Sequence, residues 1–214
     1  MTNLFSTFDP CTGMMSMNWT SSMIIMVMMP YKLWKTTNSW IILMKKMYIT
    51  LHKEMLSLMK YKGSTMMLTS TFMLIIYNNM MGLLPYVFTS TSHLTMSMTM
   101  AMPIWLGMML YGWTNKTNKM FTHLVPTGTP PPLMPFMILI ETISNMIRPI
   151  SLMVRLSANM IAGHLLMTLL GNNPNITMVM TMIMFMTLLM FEVSVAIIQA
   201  YVFMTLTTLY SSEI

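Results

Sequence analysis

The sequence predicts an all-α integral membrane protein, and three observations carry that prediction. Only 7% of its 214 residues are charged, against roughly 25% in soluble domains, while 55% are hydrophobic and the mean hydropathy is +0.64. Apolar runs long enough to span a bilayer recur along the chain. The lysines cluster instead of spreading: Lys32, Lys35, Lys45, Lys46, Lys53, Lys60 and Lys62 all fall between the first two apolar runs. That loop belongs on the matrix or cytoplasmic side. The expected architecture is a single membrane domain over residues 1–214, with about five transmembrane helices and one amphipathic helix on the basic side.

The first span is expected at 14–30, with Trp19 near one end and Tyr31 and Trp34 near the other, where interfacial aromatics settle. Residues 41–60 read as an interfacial amphipathic helix. Lys45, Lys46, His52, Lys53, Ser57 and Lys60 share one side, with Leu43, Met47, Leu51 and Leu58 largely on the other. A second span is expected at 64–88 and a third at 94–113, joined by a Thr89–His93 turn without Lys or Arg that faces the opposite side. Lys116 and Lys119 then mark a return to the basic side, in a loop broken by Pro126, Gly128 and Pro130 to Pro132.

Two segments remain, 133–170 and 174–210, turning at Gly171-Asn-Asn-Pro174. As helices each would be about 55 Å long, against a hydrocarbon core of about 30 Å. A long hairpin, strongly tilted or bent, is expected, with Pro149 offering one bend. Charge topology puts the N-terminus outside and the C-terminus inside. The opening MTNLFSTFDP has no early Lys or Arg, so neither a secretory signal nor a transit peptide is expected. The 37 methionines hint at a coding bias of the animal mitochondrial kind.

Composition also excludes. One cysteine, Cys11, rules out an intrachain disulfide, and no paired Cys or His spacing suits a structural metal or haem, so no cofactor is expected. No internal repeat is visible, which counts against repeat-built secondary transporters.

Arg155 stands out chemically, because no other permanent charge lies between Arg148 and Glu192. An arginine near the bilayer centre costs about 2.5–3.5 kcal/mol on insertion scales and normally faces a protein interior or a wet cavity with a partner. Glu141, Arg148 and Arg155 are spaced by seven and share a helix face with Asn145 and Asn159. Glu192 and Gln199 are again seven apart on the next helix, a second polar stripe able to face the first. His164 lies about 13.5 Å beyond Arg155, and Glu141 about 21 Å before it, at ~1.5 Å per residue. Carboxylates and imidazoles can exchange protons, whereas a guanidinium stays charged and instead blocks a leak or attracts a carboxylate. Bland readings compete with each of these. Arg155 or Glu192 would form a structural ion pair, His164 would pack, Glu141 would sit at the interface, Asn159 and Gln199 would act as interhelical glue, and Arg148 would pair with Glu141 or snorkel.

The stretch ETISNMIRPISLMVRLSANMIAGHLL followed by FEVSVAIIQAYVFMTLTTLYSSE resembles the last two membrane helices of subunit a (subunit 6) of mitochondrial F-type ATP synthases. YNNMMGLLPYVFTSTSHL and HLVPTGTPPPLMPFM are similar to upstream parts of the same family, and FSTFDP resembles its arthropod members. The resemblance covers essentially the whole chain. It implies a stationary, non-catalytic subunit of the mitochondrial inner membrane that conducts protons through two offset half-channels. Its partners would be the ring of c subunits, other membrane and peripheral-stalk subunits and the bilayer, with no nucleic acid. By the same resemblance Arg155 matches the arginine that meets each ring carboxylate. His164 and Glu192 match the half-channel open to the intermembrane space, Glu141 the matrix-side half-channel, and Asn159 and Gln199 polar neighbours of the arginine. The His and Glu at 164 and 192 are exchanged relative to bacterial members; Arg148 has no role to inherit. A self-contained proton or cation transporter, or a structural subunit of a respiratory complex, are the alternatives from other classes.

Overall fold

The computed structural model of the chain describes residues 4–11, 15–23, 38–59, 62–84, 86–125, 129–172 and 178–213, and among these every regular element is helical. Among the described residues six α-helices follow one another: α1 (Ser39–Leu58), α2 (Lys62–Gly82), α3 (Leu94–Asn115), α4 (Thr117–Leu124), α5 (Met134–Gly171) and α6 (Met178–Glu213). Short 3₁₀ turns lie at Leu4–Phe8, Met17–Met23, Ser90–Ser92 and Pro131–Leu133.

The long helices make a row in which α2 packs on α6, α6 on α5 and α5 on α3. Helix α1 lies against α2 and α6, and the Ser90–Ser92 turn is wedged among α2, α3 and α5. Each contact is read from a stripe at helical spacing. On α5 the buried positions are Pro149, Leu152, Met153, Leu156, Ser157, Met160 and Gly163. On α6 they include Glu192, Ala196, Gln199, Ala200, Phe203, Met204 and Thr207. One cluster built on Phe72, Ile75, Leu152, Leu156, Ala200 and Phe203 forms the core. The outward faces stay apolar, with Met182, Met186, Met190, Phe191 and Ile198 exposed on α6, as suits a protein whose solvent is lipid.

Three segments among the described residues are long and apolar enough to cross a membrane: Leu94–Asn115, Pro131–Gly171 and Met178–Ser212. At 38 and 36 residues, α5 and α6 run about 57 and 54 Å at ~1.5 Å per residue. Pro149 removes the bond to the Asn145 carbonyl, yet α5 continues through it with the proline buried.

Several sequence expectations change here. Of the first span expected at 14–30, residues 15–23 are described, and Met17–Met23 is a 3₁₀ turn. Its hydroxyls compete for backbone: Thr20 Oγ1 donates to the Met17 carbonyl (2.7 Å), Ser22 Oγ to Trp19 (2.8 Å) and Ser21 Oγ to Phe88 (3.1 Å). The rest of that run, and the turn beyond Asn172, fall outside the described residues. Helix α2 ends at Gly82, short of Phe88, because Pro85 disfavours helix before it, and Tyr86 takes a left-handed φ of 67°. Nor is α2 among the apolar spanning segments. It carries Thr65, Thr69, Asn78 and Asn79, which it buries against its neighbours. On α1 the face turned to the bundle is Met44, Tyr48, Leu51 and Met55, while Leu43, Met47 and Leu58, read from the sequence as lying opposite the lysines, are exposed. The helix therefore has a core face and an outward apolar face as well as its lysines.

Ala200 is fully buried where α6 meets α2 and α5. Ala200→Phe is expected to force these helices apart at a cost of about 1–3 kcal/mol, the range for overpacked cores. The check is a lower midpoint of thermal unfolding for the assembled complex in detergent, with exposed Ile198→Phe as the unchanged control.

Candidate functional site

Arg155 falls off the buried stripe of α5, on the exposed side with Ser151, Val154 and Ala158. Among the described residues it makes no hydrogen bond or ion pair. Glu141 does not compete for it, since that carboxylate lies 3.7 Å from Arg148 Nη2, and the Arg148 guanidinium in turn stands 4.7 Å from the centre of the Tyr210 ring. Glu192 does not reach it either, because its carboxylate is turned onto the backbone of Gly163, two turns further along α5.

One turn after Arg155, Asn159 Nδ2 donates to Gln199 Oε1 at 3.0 Å, tying α5 to α6. The expected facing stripes therefore meet at this rung. Gln199 and Glu192 are each only 6% exposed, and the Gln199 Nε2 has no hydrogen-bond partner among the described residues.

His164 and Glu192 come together around Gly163. A Cβ on that glycine would overlap the Glu192 carboxylate, so only glycine lets the acid sit there. His164 is partly buried, its ring approaching the Gly82 backbone at the end of α2 and meeting Phe8 edge-on at 6.2 Å. Its Nε2 is buried without a hydrogen-bond partner among the described residues. The same end of the bundle holds His93, whose Nε2 lies 3.0 Å from the Phe8 carbonyl and whose ring packs 5.2 Å from both Trp19 and Phe88.

Near this end the structure adds residues to which the sequence reading gave no site role. Asn78 Nδ2, Asn79 Oδ1 and Thr91 Oγ1 are buried polar atoms without partners among the described residues. A paired asparagine inside an apolar run was the available signal, because neither amide is cheap to bury. At the other end of α5, His123 Nδ1 of α4 lies 4.0 Å from Glu141 Oε1. No spacing in the sequence links those two residues.

Cys11 is exposed, and the Asp9 carboxylate beside it holds its thiol above the ordinary range, which makes it a poor nucleophile. No group of three His, Cys, Asp or Glu suited to a metal ion occurs among the described residues.

The fold and site define a polytopic α-helical membrane protein whose last two helices hold a bare cation between two separate clusters of titratable groups. Comparison with known proteins gives that class a family. The family model described as ATP synthase A chain matches residues 11–212. The chain is 54% identical over 223 residues to ATP synthase subunit a of Locusta migratoria, covering 100% of this chain and 99% of that one. It is 53% identical over 224 residues to the subunit a of Anopheles quadrimaculatus, and 52% over 222 residues to that of Drosophila melanogaster, with the same coverage. The chain belongs to the ATP synthase subunit a family, the proton-transporting membrane subunits of F-type ATP synthases.

Gly163→Ala is expected to displace the Glu192 carboxylate and to depress ATP synthesis by the assembled complex. Gly107→Ala, where an added Cβ meets nothing within 4 Å, is the control and is expected to be neutral. Equal effects of the two would show that the Gly163–Glu192 contact is unimportant.

Proposed function

We propose that this chain is the stationary proton-conducting subunit of a rotary ATP synthase, presenting Arg155 to the c ring between two offset aqueous half-channels. The observation that carries the proposal is the exposed, unpaired Arg155 in the middle of an apolar helix. A guanidinium there costs several kcal/mol unless something outside the chain answers it, and a passing carboxylate on a ring of c subunits is such an answer. Arginine does not give up its proton, so it would separate the two paths without short-circuiting them.

The residues proposed for proton translocation divide by position. His164 and Glu192, gathered at Gly163, serve the half-channel open to the intermembrane space, and Glu141 the half-channel open to the matrix. Asn159 and Gln199 hold α5 to α6 one turn from the arginine and supply polar surface there. Protons would enter past Glu192 and His164, neutralise a ring carboxylate, ride around with the ring and leave towards Glu141. The subunit itself makes and breaks no covalent bonds apart from these proton exchanges.

The same reading places the chain in the mitochondrial inner membrane as a multi-pass protein, with its N-terminus towards the intermembrane space and its C-terminus towards the matrix. It takes the spans to be five and the α5–α6 hairpin to lie steeply tilted against the ring, for which the ~55 Å lengths are the support. Other membrane and peripheral-stalk subunits would cover part of the remaining apolar surface.

The test is Arg155→Ala in the reconstituted complex, with proton-driven ATP synthesis and passive proton leak followed together. Synthesis is expected to fall to background while the complex stays assembled, and an added leak would show that the arginine also seals the two paths. Synthesis near the unsubstituted rate would make Arg155 structural and end this reading.

A further inference from the structure

We infer that His123, carried on the short helix α4, is the proton-transfer group at the inner mouth of the path that Glu141 serves. The inference rests on the proposed placement of Glu141 on a proton path and adds to it the residue that connects Glu141 with bulk water.

Three observations support it. His123 Nδ1 stands 4.0 Å from Glu141 Oε1, and Arg148 Nη2 stands 3.7 Å from the same oxygen, both just beyond hydrogen-bond length. That oxygen is buried and has no hydrogen-bond partner among the described residues. Beside it, His123, Asn145, Arg148 and Tyr210 line a cavity of about 30 Å³ whose other walls are Trp105 and three methionines. A cavity of that size and polarity has room for one bridging water, for which about 10–15 Å³ suffices. The His123 side chain is 46% exposed and that of Glu141 27%, so the imidazole reaches solvent from a carboxylate that is more sheltered.

The chemistry balances without another reactant. A proton leaves the Glu141 carboxyl, directly or through one water, for Nδ1 of neutral His123. The imidazolium loses a proton from Nε2 to bulk water, leaving a Glu141 carboxylate ready for the next incoming proton and a neutral imidazole protonated on Nδ1, whose tautomer exchange through water or ring rotation frees Nδ1 again. Arg148 stands beside the carboxylate throughout and keeps its own proton. The Tyr210 phenol of α6 lines the same cavity under the Arg148 guanidinium, and Lys119 on α4, with Lys116 at its start, is the other charge carried by that segment. An imidazole suits the position because it titrates nearest to neutrality of all side chains.

The experiment uses the whole complex in liposomes, with assembly measured alongside. Proton-driven ATP synthesis is recorded against the pH on the α4 side for His123→Ala, His123→Gln and Glu141→Gln, with and without free imidazole on that side. His123→Ala and His123→Gln are expected to slow synthesis roughly tenfold, below the usual contribution of a positioned proton-transfer group. They are also expected to lose the wild-type slowing at acidic pH on that side, where a protonated His123 can accept nothing. Free imidazole should restore most of the rate to the alanine variant. Rates near wild type in both His123 variants, or a loss that imidazole leaves untouched, would overturn the inference. Glu141→Gln separates the two levels. If it stops synthesis while the His123 variants run normally, only the His123 inference fails; if it leaves synthesis unchanged, the placement of Glu141 fails and takes the inference with it.

Discussion

A guanidinium cannot be left facing hydrocarbon, and it cannot shed its charge to escape. On α5 that constraint is set by Arg155, which no carboxylate among the described residues reaches. The two acids that could have neutralised it are held elsewhere, Glu141 by Arg148 and Glu192 against Gly163. Had either paired with Arg155, the ion pair would have been self-sufficient, and nothing in the chain would require a partner. Its absence gives the exposed face of α5 its meaning, and on the proposed reading the missing negative charge is supplied from outside the chain.

The rest of the bundle is arranged so that this face stays open. Helix α5 buries one stripe against α3 and α6 and leaves the arginine on the other side. Small residues allow the close approach of the hairpin, with Ala196 and Ala200 on α6 and Gly163 on α5 all buried. The hydrogen bond from the Asn159 side-chain amide to Gln199 Oε1 pins the two helices at the level of the charge. Polar groups are otherwise drawn inward, on α2 and the Thr89–Ser92 turn, while methionine, phenylalanine and isoleucine cover the outside. Titratable groups then fall at the two ends of α5, His164 with Glu192 at one and Glu141 with His123 at the other, separated by a cation that does not relay protons.

Much of this was legible in the sequence, for identifiable reasons. An all-helical membrane fold follows from composition and from the length of apolar runs, which need no partner to be read. Arg155 was visible because a lone charge among apolar residues is a local fact. The Glu141–Arg148 pair was available as well, since seven residues on a helix return to the same face. The sequence reading stopped short where an apolar side chain had a choice of two apolar surroundings. Leu43, Met47 and Leu58 of α1 are as hydrophobic as its core face, and only the docking of α1 on α2 and α6 decided that Met44, Tyr48, Leu51 and Met55 turned inward. The end of α2 at Gly82 was missed because the apolar pattern runs on past the residues that stop the helix.

By itself, then, the sequence determined the fold class, the stretches apolar enough to cross a bilayer and the isolation of Arg155, all of which depend on the order of residues along one segment. Tertiary structure decided which groups became neighbours across segments: His123 with Glu141, Gly163 with Glu192, Asn159 with Gln199, and Phe8 with His164. It also decided that Arg155 kept no partner among the described residues. Pairing between distant segments depends on how helices dock, and docking is a balance of packing among many similar apolar faces that no single stretch of sequence encodes.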